Sequence, residues 1–122
     1  MENLQQKFNQ WLDEEMEKVK GDAIAYCVII YDEGFDEYSV DLVAFDKYDE
    51  GDEDWACGDG IYASHCGEET LLYFYIKKGW EACLQQVGIL IEGYMEQGKY
   101  GQKLKDAQAV GYGFDDGDIE II

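Results

Sequence analysis

The stretch that decides the fold is "AIAYCVIIYDEGFDEYSVDLVAFD", Ala23 to Asp46. Its first ten residues, 23–32, form an unbroken apolar run rich in β-formers. Such a run reads as a strand covered on both faces, and so as a central strand. "EGFDE", 33–37, is a turn. From Tyr38 the pattern alternates: Tyr38, Val40, Leu42 and Ala44 fall on one side, Ser39, Asp41, Val43 and Phe45 on the other. Period-two alternation after a short turn predicts a second strand, paired with the first as a hairpin.

Working outward, residues 2–20 carry Leu4, Phe8, Trp11, Leu12 and Val19 at helical spacing, with Asp13, Glu14, Glu15 and Lys18 on the opposite side. That is an amphipathic helix. Gly21 is its natural C-cap. "GIYAS", 60–64, reads as a short strand, and "LLYFYI", 71–76, as a strand or as a helix running into the next segment. Residues 80–97 give a second helix whose apolar stripe is Trp80, Leu84, Val87, Ile91 and Tyr94, interrupted at "QGKYGQK". "AQAVGYGF" followed by "DDG" and "DIEII" is strand, turn, strand, with Asp116-Gly117 as the hairpin signal. The order helix, strands, helix, strands predicts one α+β domain over 1–122: a mainly antiparallel sheet packed with two principal amphipathic helices.

Charge narrows the function. The 122 residues hold 28 acids and nine bases, a formal net charge of −19, and every base is lysine. Arginine, the usual fork for phosphate, is missing, and cations meeting phosphates supply most nucleic-acid affinity. This composition argues against direct nucleic-acid binding and against an anionic membrane face. It favours a basic partner, which a strongly negative field steers in. With hydrophobic residues at 47%, the charge rides on a folding chain and not on a disordered tail. The N-terminus lacks the pattern of a secretory leader, and no apolar run approaches membrane-spanning length. Cys27 and Cys83 sit in apolar contexts. A reducing, cytoplasmic setting is expected.

The acids are concentrated. Residues 32–59 contain 12 of them and one lysine. The densest part, "FDKYDEGDEDWACGDGIYASHCGEE" (Phe45–Glu69), also holds two cysteines and the one histidine. Its spacing fails the calcium-loop template at every register. Cys57, His65 and Cys66 lack the paired spacing of structural zinc sites. Anionic surroundings keep a thiol protonated and unreactive. The expectation is therefore no catalytic residue, no metal ligand and no cofactor. Asp46, Tyr48, Asp49, Glu50, Asp52, Glu53, Asp54, Trp55 and Asp59 are the candidate partner-binding residues: acids to steer and an aromatic anchor to hold. Trp55 has two readings, one toward the partner and one pinning the loop to the core.

A small acidic α+β chain with a "DEDWACGD" loop and a "VGYGFDDGD" ending resembles the bacterial immunity proteins of polymorphic-toxin and contact-dependent inhibition systems. The resemblance is one of size, acidity and texture across the whole chain. It implies binding of a cognate toxin, often a basic nuclease, and obstruction of its active site or an adjacent surface. The same electrostatics suit a DNA mimic that blocks a nucleic-acid-binding protein. A small metal-binding structural module is the alternative from another class.

Overall fold

The computed structural model describes residues 3–52, 54–56, 60–66 and 71–122. In chain order the elements are α1 (Leu4–Lys18), β1 (Ala25–Gly34), β2 (Glu37–Phe45), β3 (Tyr62–Ala63), β4 (Leu72–Tyr75), α2 (Trp80–Gln97), α3 (Gly101–Lys105), β5 (Ala109–Phe114) and β6 (Glu120–Ile121). The expected α+β class is observed.

One sheet holds all six strands. Its order is β3-β2-β1-β5-β6, and β4 pairs with the other half of β2's outer edge. β1 and β2 form the expected hairpin, with Cys27 opposite Val43 and Ile29 opposite Asp41. A two-residue turn, Phe35-Asp36, joins them. Most pairings are antiparallel, but β1 and β5 run parallel, Ala25 beside Ala109 and Ile30 beside Phe114. A parallel pairing needs a long crossover connection. The segment from β4 through α2 and α3 supplies it. β1, flanked by β2 and β5, is the central strand its apolar run predicts.

Side chains on a strand alternate between faces, so the sheet has two distinct ones. The near face presents Tyr26, Val28, Ile30, Val40 and Leu42 to both long helices. Phe8, Leu12 and Met16 of α1 and Val87, Ile91 and Tyr94 of α2 complete this main core, all essentially buried. Each such side chain contributes roughly 1.5–3 kcal/mol by leaving water. α1 starts at a capping box: Asn3 accepts from the Gln6 amide at 2.9 Å, and Gln6 accepts from the Asn3 amide at 2.9 Å. The helix stops earlier than its sequence pattern suggests. Val19 is the C-cap, and Gly21, at φ 99°, lies two residues beyond it.

Two further details depart from the sequence reading. "QGKYGQK" does more than interrupt α2, because Gly101–Lys105 forms the short helix α3. Trp80 does not join the apolar stripe of α2. It is 57% exposed and packs edge-on against Phe114 with ring centroids 6.2 Å apart. As the first residue of the helix, directly after Gly79 at φ 94°, it has no preceding turn to pack against.

Candidate functional site: an acidic, aromatic far face

The far face of the sheet is built from the other alternate residues: Ala25, Cys27, Ile29 and Tyr31 of β1, then Ser39, Asp41, Val43 and Phe45 of β2. On β5 the corresponding positions are Ala109, Gly111 and Gly113, set beside Ala25, Cys27 and Ile29. Among the described residues no helix covers this face. One end of it is closed by the acidic loop after β2, whose Tyr48, Trp55 and Ala56 pack with Val43, Phe45 and Ala109 into a second, smaller core.

Trp55 turns inward. Its ring meets Phe45 at 5.8 Å and Tyr48 at 5.1 Å, both edge to face. Glycine at 111 makes room, since a Cβ there would lie 3.0 Å from Trp55 Cζ2 and 2.7 Å from Ile119 Cγ2. The indole thus anchors the loop while remaining half-buried. The loop acids help shape their own turns. Asp49 Oδ1 accepts from the Gly51 amide at 3.0 Å, and Asp52 Oδ1 from the Asp54 amide at 2.9 Å. Asp46, Asp49, Glu50, Asp52 and Asp54 are all exposed. Glu53 and Asp59 of the candidate set lie outside the described residues, as does Cys57.

Between this loop and the β5–β6 hairpin lies a cleft of about 680 Å³. Ile29 and Val43 form its floor, Tyr48 and Trp55 one wall, Phe114 and Ile119 the other. Glu50, Asp52 and Asp54 line it from the loop, Asp115 and Asp118 from the hairpin. A second compartment of about 940 Å³ adjoins it, lined in part by Asp32, Glu33, Trp80 and Asp116. The two share Tyr31, His65, Phe114, Asp115 and Gly117. Among the described residues every charged side chain lining either compartment is acidic, apart from the imidazole of His65, and no lysine contributes. Asp46 and Asp49 lie outside both linings.

At the junction is a polar network the sequence reading did not assemble. Asp41, with no exposed surface, accepts from Tyr31 Oη at 3.0 Å and from the His65 amide at 3.2 Å. His65 Nδ1 lies 2.5 Å from Asp41 Oδ2. A carboxylate only accepts, so Nδ1 carries the proton in that contact. Burying a carboxylate without partners is costly, and these donors make its position tenable. Chemically the network fixes the imidazole edge that both compartments share. The sequence did carry a signal for it: between Tyr38 and Phe45 Asp41 is the one carboxylate, on the side that also carries Val43 and Phe45.

The thiols behave as small apolar groups. Burial, with the nearby Asp41 charge second, pushes Cys27 up to about 12. Burial, with the Asp32 charge second, does the same to Cys83. Cys66 is exposed. Among the described residues no group of three or more His, Cys, Asp or Glu side chains is arranged to hold a metal ion. No helix among them is long and apolar enough to cross a membrane.

Comparison with known protein families, curated protein sequences and solved structures finds no match to this chain.

Proposed function

We propose that this protein is a non-enzymatic inhibitor of a basic protein: an immunity protein that neutralises a cognate basic bacterial toxin by docking its acidic loop and the adjoining cleft on the toxin surface. The observation that carries this reading is the cleft itself. Its walls are aromatic and aliphatic, its rim is carboxylate from two separate segments, and no lysine lines it. Carboxylates of one sign raise the encounter rate with a cationic partner, while desolvated aromatic surface supplies holding energy. Tyr48 and Trp55 line the cleft and would offer ring surface to the apolar stem of a lysine or arginine, while Glu50, Asp52 and Asp54 would accept charge-assisted hydrogen bonds from its head.

The test is co-purification with the toxin domain encoded beside this gene, followed by association kinetics at increasing salt. A tight complex is expected, with an association rate that falls steeply as salt rises. Reversing Asp49, Glu50, Asp52 and Asp54 to lysine should slow association by at least about tenfold. Unchanged affinity and rate in a variant that still folds would sink the assignment.

A further inference from the structure

The two compartments meet at His65, which lines both. Among the described residues that line them, it is the only one able to carry a positive charge. Its place is fixed from the sheet: Nδ1 contacts Asp41 Oδ2, and the His65 amide donates to Asp41 Oδ1 at 3.2 Å. Asp41 has no exposed surface, and Tyr31 Oη donates to it as well, at 3.0 Å. A carboxylate in direct contact favours the protonated imidazole. So do the acids around it. The end of β1 contributes Asp32 and Glu33, the acidic loop Glu50, Asp52 and Asp54, and the β5–β6 turn Asp115, Asp116 and Asp118. Tyr31 and Tyr48 are the remaining titratable groups of the lining. A compartment of about 680 Å³ is on the order of 10 Å across, a distance over which charges still act on one another at ordinary salt. Cys27 lies on the same face as Asp41. Burial, with the Asp41 charge second, holds it up to about 12, so the thiol stays neutral where an imidazole titrates.

We infer that His65 makes docking of the basic partner proton-linked: in the free protein its imidazolium is the counter-charge at the junction of the two compartments, and it gives up its proton when a lysine or arginine of the partner enters. The inference rests on the proposed docking of a basic protein in this cleft. The carboxylates that favour the imidazolium are the ones the partner's cations neutralise. A guanidinium or ammonium in either compartment also repels the imidazolium directly. Both effects have the same sign. Docking therefore releases a proton from His65, and affinity rises with pH across the imidazole titration, ordinarily centred near about 6.5. Carboxylates ordinarily titrate near about 4, so the interval from pH 5.5 to 7.5 reports chiefly on the histidine. The linkage is reciprocal. If the partner lowers the imidazole midpoint by about half a unit, loss of the proton tightens the partner about threefold.

The experiment uses the full chain without a polyhistidine tag and acetylated hexa-arginine amide as the probe, a peptide with no group that titrates near neutrality. The chain has a single histidine, so its imidazole gives one NMR signal to follow from pH 5 to 8, with and without saturating peptide. Calorimetry at pH 5.5 and 7.5 compares the natural chain with H65N and with D52N/D54N. Asparagine at 65 can still donate to Asp41 but cannot titrate. Circular dichroism and a thermal melt confirm folding, and if H65N does not fold, the NMR midpoint of the natural chain alone decides. The expected result is a midpoint lowered by at least about half a unit on binding, affinity at least about threefold tighter at pH 7.5 than at 5.5, and no such gain in H65N. Binding weakened by D52N/D54N, with an unmoved midpoint or the same gain in H65N, overturns the proton linkage and leaves the docking reading standing. A lowered midpoint with binding indifferent to D52N/D54N upholds the linkage and overturns the role of the acidic loop. No binding at any pH overturns both.

Discussion

His65 Nδ1 lies 2.5 Å from Asp41 Oδ2, and the carboxylate it meets is wholly buried in the face of β2. The ring is 38% exposed, so one histidine links a buried charge to the cleft surface. Asp41→Leu keeps the approximate size but removes both oxygens that accept from Tyr31 and from the His65 amide. Those buried contacts are lost with nothing on the leucine to replace them. The expected cost is about 2–4 kcal/mol, read from urea denaturation. A loss under about 0.5 kcal/mol would show that the network does not hold the face together.

The β5–β6 hairpin closes the other side of the cleft because β5 has glycine where it meets the return segment. A Cβ at Gly113 would stand 2.5 Å from the Asp118 carbonyl oxygen and 3.0 Å from Ile119 Cδ1. The oxygen belongs to backbone and cannot swing aside. Gly113→Ala should cost about 1–3 kcal/mol and lift the hairpin away from the sheet. Hydrogen exchange is the direct check: the Ile122 amide, bonded to the Val110 carbonyl at 2.9 Å, should lose protection. An unchanged melt with full protection there would contradict the packing.

The tip of the β1–β2 hairpin carries backbone strain. Phe35 and Asp36 sit at φ 54° and 66°, the left-handed region both positions of this turn require. A bulky residue adopts it unwillingly, and Phe35 is fully exposed, so burial gives nothing back. Replacing the pair with Asn-Gly (F35N/D36G) should stabilise the fold by about 1 kcal/mol, seen as a higher urea midpoint with an unchanged slope. A lower midpoint would mean that the Phe35 ring makes a contact in the native state.

Alkaline pH should weaken the fold before acid-sensitive surface pairs matter. Cys27 and Cys83 are held up to about 12 in the folded chain against an ordinary 9.0. Tyr26, Tyr38 and Tyr112 are raised above 10.0, burial first in each case. For groups with a raised folded value, the stabilisation is complete below the unfolded value and is lost as pH climbs toward the folded one. Stability should thus hold flat through neutrality and fall from pH 9.0 upward. A urea midpoint that stays constant from pH 9 to 11 would contradict this. In the native state at pH 8, Cys66 should react with a thiol reagent well before Cys27 or Cys83.

Much of the fold was legible in the sequence because local pattern and tertiary context agreed. The alternation from Tyr38 to Phe45 placed each β2 side chain on its correct face, and the stripe Val87, Ile91, Tyr94 marked the buried side of α2. The parallel pairing of β1 with β5 was not legible, since nothing in "AVGYGF" records strand direction. Nor does it show that its glycines make room for Trp55 and Ile119. Trp55 illustrates the same limit within the site. Its acidic neighbours announce a surface, and only the opening beside Gly111 decides that the ring turns inward. Tyr31, Asp41 and His65 are far apart in sequence, and the sheet register alone brings them together. Their roles needed the fold.

The parallel pairing has a consequence for how the chain reaches its native state. β1 meets β2 through a two-residue turn, but its second neighbour arrives only after α2 and α3 have been laid down. Contacts so distant in sequence form late and slowly. Meanwhile the β1–β2 hairpin shows an unpaired edge along a strand that is apolar on both sides, Cys27 and Ile29 on one and Val28 and Ile30 on the other. Such an edge readily recruits a second half-folded chain. A net charge of −19 opposes that encounter, since nascent copies repel before they touch. The acidity thus has a use before any partner is met, as protection of an exposed strand while it waits for β5.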